Sequence, residues 1–397
     1  MDPVQAQYEA YPYPARDPAD ERKRLIVGSP SHPVEVDHVL FSGRRDWAAG
    51  TRVLVAGGGT GDGLIQIAAV LAAAGRPTEI TYLDPSEAAR GIAEARAGIR
   101  GLDTIRFLTA SLFDAPDLGP FDYIDCCGVL HHLDDPTAGF AALGAALAPG
   151  GGIGFMVYAP LGRSGVYPLQ AAFNTAFGHL PPTEKLAAAR AVFDRLPDGH
   201  PFRTNPHLGD HADSAAGFYD LLLHSRDRAF TVAELLHTLD VAGLDLAGFA
   251  QPGLYDPARF LAGQGADLTP PQRMALAEQL SGGLKTHVGY AVPKGAVPAP
   301  PTGRGADIPH LRGPRPAALA QHVAKTGRAA VTLAGERIAV EIPKAAAPLI
   351  AGIDGRRDVA ALIARAAPDP VAGGTLWAAV DAALRPWGLL HYARLHR

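Results

Sequence analysis

The sequence is poor in the features that would place a protein outside the cell or in a membrane. Two cysteines, Cys126 and Cys127, occur in 397 residues; adjacent residues are badly placed to bridge to each other, which argues against a disulfide-stapled secreted scaffold. No apolar run is long enough to span a bilayer and no basic-then-apolar leader opens the chain, so a cytoplasmic location without a membrane partner is expected. A basic surplus is missing too. The 36 Lys and Arg stand against 40 Asp and Glu for a formal charge of -4, which argues against a dedicated nucleic-acid binder but leaves room for a local basic patch. The length suits a large core and more than one domain.

What is there begins with a glycine turn. Val53, Leu54, Val55 and Ala56 form a short apolar, partly β-branched run that suits a strand covered on both faces. Gly57, Gly58, Gly59, Gly61 and Gly63 follow, removing Cβ atoms where the chain turns tightly and a ligand can approach the backbone. Leu64 to Ala74 then reads as an apolar helix. Alone, this turn fits a dinucleotide, S-adenosylmethionine or no ligand. Glu79 to Asp84 is a second strand whose terminal carboxylate could accept both hydroxyls of a ribose, or could cap the next helix together with Ser86. Further strand signals follow at Arg106 to Asp114, at Phe121 to Leu133, and at Leu147 to Val157, which contains a Pro-Gly turn.

The order and spacing of these pieces, over roughly residues 40 to 160, resemble class I S-adenosylmethionine-dependent methyltransferases. The resemblance implies an α/β fold with a seven-stranded Rossmann-like sheet and S-adenosyl-L-methionine as cofactor. It implies Gly57, Gly59 and Gly61 along the methionine moiety, with Gly58 and Asp62 in the same turn. Asp84 and Pro85 would meet the ribose, Ser111 and Leu112 the adenine, and Cys127 and Gly128 the sulfonium. Many relatives carry Asp where this chain has Ser111, so the adenine contact falls to the hydroxyl or to backbone groups. Cys126 and Cys127 read as small buried hydrophobes rather than reactive thiols.

Residues 1–40 form an N-terminal arm or lid. Tyr8 to Arg16, with three tyrosines and two prolines, reads as extended; the resemblance implies a cover over donor or substrate, and packing on the domain surface is the other option. Asp17 to Leu25 looks helical. The methyltransferase domain is expected over 41–293, with a helical substrate-cover insertion at about 160–230. Its polar loop from His200 to Asp213 offers substrate contacts or only orders itself, and its spacings match no established metal pattern. Thr231, Glu234 and Gly243 mark a capped helix. After a Pro- and Gly-rich linker at 294–316, residues 317–397 read as a small α+β unit. The phrase Ile353 to Ile363, followed by Trp387 to Leu390, resembles winged-helix modules, which bind nucleic acid, a peptide or a second copy of themselves.

Methyl transfer is an in-line displacement in which the protein binds, orients and desolvates. A base is needed only for a protonated acceptor. His131, His132 and Tyr158 stand at the strand ends facing the acceptor side and are the candidates; the histidines could instead merely orient the helix start. Tyr11, Tyr13, Arg163, Tyr167, Arg203 and His207 are candidate substrate contacts. A protein or peptide acceptor is favoured, with a small metabolite or RNA as alternatives. An NAD-dependent oxidoreductase and an S-adenosylmethionine-sensing DNA-binding regulator are the readings from other classes. Arg356, Arg357, Arg365 and Arg385, interleaved with Asp354 and Asp358, make a poor DNA-recognition helix.

Overall fold

The computed structural model describes residues 3–367 and 369–395. Seven strands form the main sheet: β1 (Thr51–Ala56), β2 (Thr78–Asp84), β3 (Ile105–Thr109), β4 (Phe121–Cys127), β5 (Leu147–Tyr158), β6 (Leu244–Phe249) and β7 (Thr286–Pro293). Their spatial order is β3-β2-β1-β4-β5-β7-β6. The first five run parallel, while β7 is antiparallel to both β5 and β6. This is the Rossmann-like methyltransferase sheet expected from the sequence. The dinucleotide-binding order 3-2-1-4-5-6 has no inserted antiparallel strand, so the topology speaks against the oxidoreductase reading. Strand order reverses between β1 and β4, and the crevice at that switch point is where open α/β sheets place ligands.

Both faces of the sheet are covered, which explains the unbroken apolar runs of the central strands. On one face Phe140, Leu143, Phe155, Leu235 and Leu239 form a buried cluster; on the other are Val53, Leu64, Ile67, Tyr82 and Tyr290. Burial of each such side chain contributes about 1.5–3 kcal/mol. The helix Val232–Val241 begins with the Thr231–Glu234 capping box, and Gly243 follows at φ 75°.

The N-terminal arm differs from its reading. Pro3–Ala10 is a helix, so Tyr8 is helical and only the part beyond it is irregular. Pro12 disfavours helix at Tyr11, which stops the helix there. Asp17 to Leu25 holds only a short 3-10 turn, Pro18–Arg22, capped by Asp17. The insertion folds as the helices Val166–Phe177, Pro182–Phe193 and Ala215–Leu223 around their own core of Leu169, Phe173, Phe202, Phe218 and Leu222.

The stretch 294–316 holds β8 (Pro309–Leu311). The C-terminal part adds β9 (Arg328–Leu333), β10 (Glu336–Glu341) and β11 (Leu390–Tyr392). β9 and β10 form a hairpin and β8 pairs antiparallel with β11, so residues read as linker close the C-terminal unit. Helices Pro316–Thr326, Val359–Ala366 and Pro370–Leu384 pack around Trp377, Val380 and Leu384. The unit is seated on the segment before β1. Tyr392 N–H donates to His38 Nδ1 at 2.9 Å, Arg394 N–H donates to Asp37 at 2.8 Å, and Arg312 pairs with Glu35.

Candidate active site

The crevice starts from the glycine turn. A Cβ on Gly57, at φ 67°, would lie 2.4 Å from Val129 Cγ2, and Gly59, at φ 50°, also needs glycine's freedom. The turn is pinned from both sides. Gly57 N–H donates to Leu83 O at 2.7 Å, and Gly59 N–H donates to Asp84 Oδ2 at 2.8 Å. The other Asp84 oxygen accepts Ser86 N–H at 2.9 Å, while Ser86 itself caps the following helix through Ala89 N–H. Asp84 is therefore a strand-end carboxylate facing the turn, not the helix cap. Burial raises its carboxyl, and the two backbone donors oppose that shift.

The N-terminal arm lies over this turn. Thr60 Oγ1 donates to Pro14 O at 2.8 Å, Arg16 pairs with Asp62 at 2.6 Å, and Glu9 accepts Glu87 N–H at 2.7 Å. Burial works against the Asp62 charge, but hydrogen bonds and the charges of Arg16 and Arg96 hold its carboxyl below the usual range. Beneath the arm is a cavity of about 720 Å3 lined by the glycine turn, the ends of β2, β4 and β5, and the arm itself. Such a volume suits a cofactor together with part of a substrate. A shallower hollow of about 990 Å3 at the opposite ends of β1 and β2, among Arg44, Arg52, Glu79 and Asp122, holds none of these groups.

The far end of the cavity is built from distant segments. His132, in the turn Leu130–His132, has Nδ1 2.8 Å from Arg226 O. A carbonyl can only accept, so Nδ1 carries the hydrogen and Nε2 is left as the basic nitrogen. His224 stacks on His132 with centroids 3.7 Å apart. The His224 Nδ1 accepts Arg226 N–H at 3.0 Å, so its Nε2 carries the hydrogen and donates to Tyr8 Oη at 3.2 Å. Tyr8 and Tyr158 each donate a phenol hydrogen to Asp220, both at 3.1 Å. Burial pushes both phenols and the Asp220 carboxyl up and His224 down, so neutral phenols and a neutral His224 are favoured.

Candidate ligand atoms of His132, Asp220 and His224 lie within 4.8 Å of one another. The set is nevertheless a poor metal site, because the His224 nitrogen aimed at it bears a hydrogen that Arg226 N–H fixes in place from the other side of the ring.

Residues 54–153 match a family model described as a methyltransferase domain. The chain carries a methyltransferase domain. Among solved structures, PKMT2 from Rickettsia typhi in complex with AdoHcy superposes with a TM-score of 0.64 at 12% identity, covering 91% of this chain and 75% of that one. A second structure of PKMT2 gives 0.63 at 12% identity, with 93% and 77% covered. At that identity the likeness is one of fold, and it extends well beyond the methyltransferase domain. The uncharacterized protein syc1184_c of a Synechococcus strain is 31% identical over 264 residues, 64% of this chain and 61% of that protein. The chain thus spans less than two thirds of the length of that relative.

Around the methyltransferase domain the residues sort clearly. Gly57, Gly58, Gly59, Asp62, Asp84, Pro85, Ser111, Leu112, Cys127 and Gly128 all line the cavity, as do Tyr13, His132 and Tyr158. Cys127 opens to the cavity while Cys126 is buried, and burial pushes both thiols up, keeping them neutral. The Ser111 hydroxyl is taken by Phe113 N–H at 3.3 Å as a local cap. Gly61 does not reach the cavity; it packs on Ala93 behind the turn. His131 is turned inward, fully buried between the rings of His132 and Tyr158 at 4.1 and 3.9 Å, with neither ring nitrogen hydrogen-bonded. It is not placed to meet an acceptor.

The remaining candidate substrate contacts are displaced as well. Tyr11 stacks on Tyr219 at 5.0 Å in the insertion core. Arg163 is spent on Asp227 at 2.9 Å and on the Tyr167 hydroxyl at 3.0 Å, with its guanidinium 3.6 Å from the Tyr158 ring centroid, so Arg163 and Tyr167 support the wall from behind. Arg203 donates to the carbonyls of Phe193 and Asp194, and His207 lies against Gly335 of the C-terminal hairpin. Missed in the sequence were Tyr8, Phe113, Asp220, His224 and Arg226. A hint existed for Asp220, an acidic residue inside the apolar helical run Ala215–Leu223.

Proposed function

We propose that the protein transfers a methyl group from S-adenosylmethionine to a protein or peptide acceptor. The observation that carries the reading is a single cavity joining the glycine turn and Asp84 to the His132 chamber across the switch point of a methyltransferase sheet. The residues fit the cofactor. Gly57 to Gly59 present backbone where side chains would obstruct, Asp84 offers carboxylate oxygens to a ribose, and Ser111 to Phe113 flank the place of a purine. When bound, the sulfonium supplies an activated methyl group. The chain's own part is to align the acceptor, keep water out beneath the arm, and accept a proton at His132 Nε2 where the acceptor carries one.

A protein or peptide acceptor is supported by the surface that the insertion and the C-terminal unit offer around the methyltransferase domain. A second reading, a small metabolite, is favoured by one observation: Tyr8 closes the chamber by bonding across it to Asp220 and His224. Cell extract incubated with enzyme and radiolabelled S-adenosylmethionine, then separated by size, tests both. Label in polypeptides that depends on intact Asp84 supports the proposal. Label confined to small molecules favours the metabolite, and no enzyme-dependent label counts against methyl transfer.

A further inference from the structure

We infer that the methyl acceptor is an amine, admitted to the chamber as its ammonium and held by Asp220; this rests on the methyl-transfer reading above. The cavity is lopsided in charge. Among the described residues it is lined by the carboxylates of Asp62, Asp84, Asp125, Asp134, Asp135 and Asp220 against the guanidiniums of Arg16 and Arg226. Both guanidiniums are committed, Arg16 to Asp62 and Arg226 to Asp134 at 2.8 Å. Asp84 faces the glycine turn, and Asp125 is held by Ser31 and Tyr123.

Asp220 is the carboxylate at the acceptor end. It is 3% exposed and hydrogen-bonded by two phenols, while Arg163 behind the wall is paired with Asp227. Among the described residues no cation is paired directly with Asp220, although the Arg163 charge behind the wall favours its ionised form, and a buried carboxylate in that state is stabilised by a ligand that brings a cation into contact. An acceptor carboxylate or phenolate would meet like charge, and a neutral alcohol would leave Asp220 uncompensated.

The reaction balances with the groups present. The ammonium gives one proton to His132 Nε2, whose Nδ1–H stays on Arg226 O. The freed nitrogen lone pair forms the bond to the donated methyl, and the electron pair of the breaking carbon–sulfur bond stays on sulfur. The products are an N-methylammonium, a neutral thioether and the His132 imidazolium.

The test uses the full chain saturated with S-adenosylhomocysteine and three probes of one shape, n-butylammonium, n-butanol and butyrate, titrated by calorimetry. Butylammonium should bind at least about tenfold more tightly than butanol, and butyrate should bind weakest. In Asp220→Asn, butylammonium affinity should fall about tenfold or more while S-adenosylhomocysteine affinity stays within about twofold. Equal binding of the three probes by the unaltered protein, or a preference for butyrate, would overturn the inference with no variant needed. So would undiminished butylammonium binding by the folded variant. Failure of the saturating ligand itself to bind would instead strike the methyl-transfer reading.

Discussion

The two ends of the cavity are made in different ways. The donor end comes from consecutive pieces of one sheet: the glycine turn after β1, Asp84 at the end of β2, Ser111 after β3 and Cys127 at the end of β4. The acceptor end is assembled from the N-terminal helix, the turn after β4, the end of β5 and the insertion helix Ala215–Leu223; Tyr8 and Asp220 meet although 212 residues apart in sequence. A sheet offers a ready-made crevice for a fixed ligand. A variable partner is met by parts added around it.

The sharpest way to separate the ends is His132. Replacing it with alanine should lower methyl-transfer turnover by about a thousandfold at pH 7, as removal of a general base does, with donor affinity held within about threefold. Matching losses in both quantities would erase the distinction. Asp84→Ala should do the reverse. It removes an acceptor for Gly59 and Ser86 N–H together with any ribose contact, so donor affinity measured by calorimetry should drop about a hundredfold. Unchanged affinity would mean that the ribose is held elsewhere.

Acid should act on the two ends with opposite sign. Burial pushes His131 and His224 well below their usual range but pushes Asp125 up to about 6. For the histidines the unfolded chain takes the proton first, so the stability they contribute is full above roughly pH 6.5 and lost as pH falls below it. For Asp125 the folded state takes the proton first, so a fall through pH 6 relieves a cost. Asp220, raised by burial, also gains from acid and offsets part of the histidine loss. Hydrogen exchange of residues 215–224, corrected for intrinsic rates, should accelerate about tenfold relative to β4 between pH 7 and pH 5. Equal acceleration would argue against this division.

Tyr8→Phe removes both hydrogen bonds that the phenol makes across the chamber, to Asp220 and from His224, and turnover should fall about fivefold with donor affinity unchanged. Arg203→Ala and His207→Ala should alter neither quantity by more than about twofold, since both side chains contact backbone remote from the cavity. A large effect from either would reinstate the polar loop as a substrate surface.

The same division governs what could be read in the sequence. Val53 to Gly63 and Asp84 were legible because strand, turn and strand-end carboxylate are local patterns with fixed spacing. So was the Thr231–Glu234 capping box. Asp220 and Tyr8 were not, because their meaning depends on contacts no local pattern encodes. The His131–His132 pair sat between these cases: its place after β4 was readable, but which ring faces the cavity is set by the turn at Leu130. Pro3–Ala10 was overlooked as a helix because the tyrosines and prolines after it dominate the segment. The loop from His200 to Asp213 drew attention through its composition, yet it folds back onto the insertion helices and the C-terminal hairpin.

Calorimetric titration of the full chain with S-adenosylhomocysteine and, separately, with NAD tests most directly whether this crevice holds the methyl donor. Saturable binding of the sulfur ligand, lost on Asp84→Ala, with no heat from NAD, is the result expected. Binding of NAD with none of S-adenosylhomocysteine or S-adenosylmethionine would contradict it.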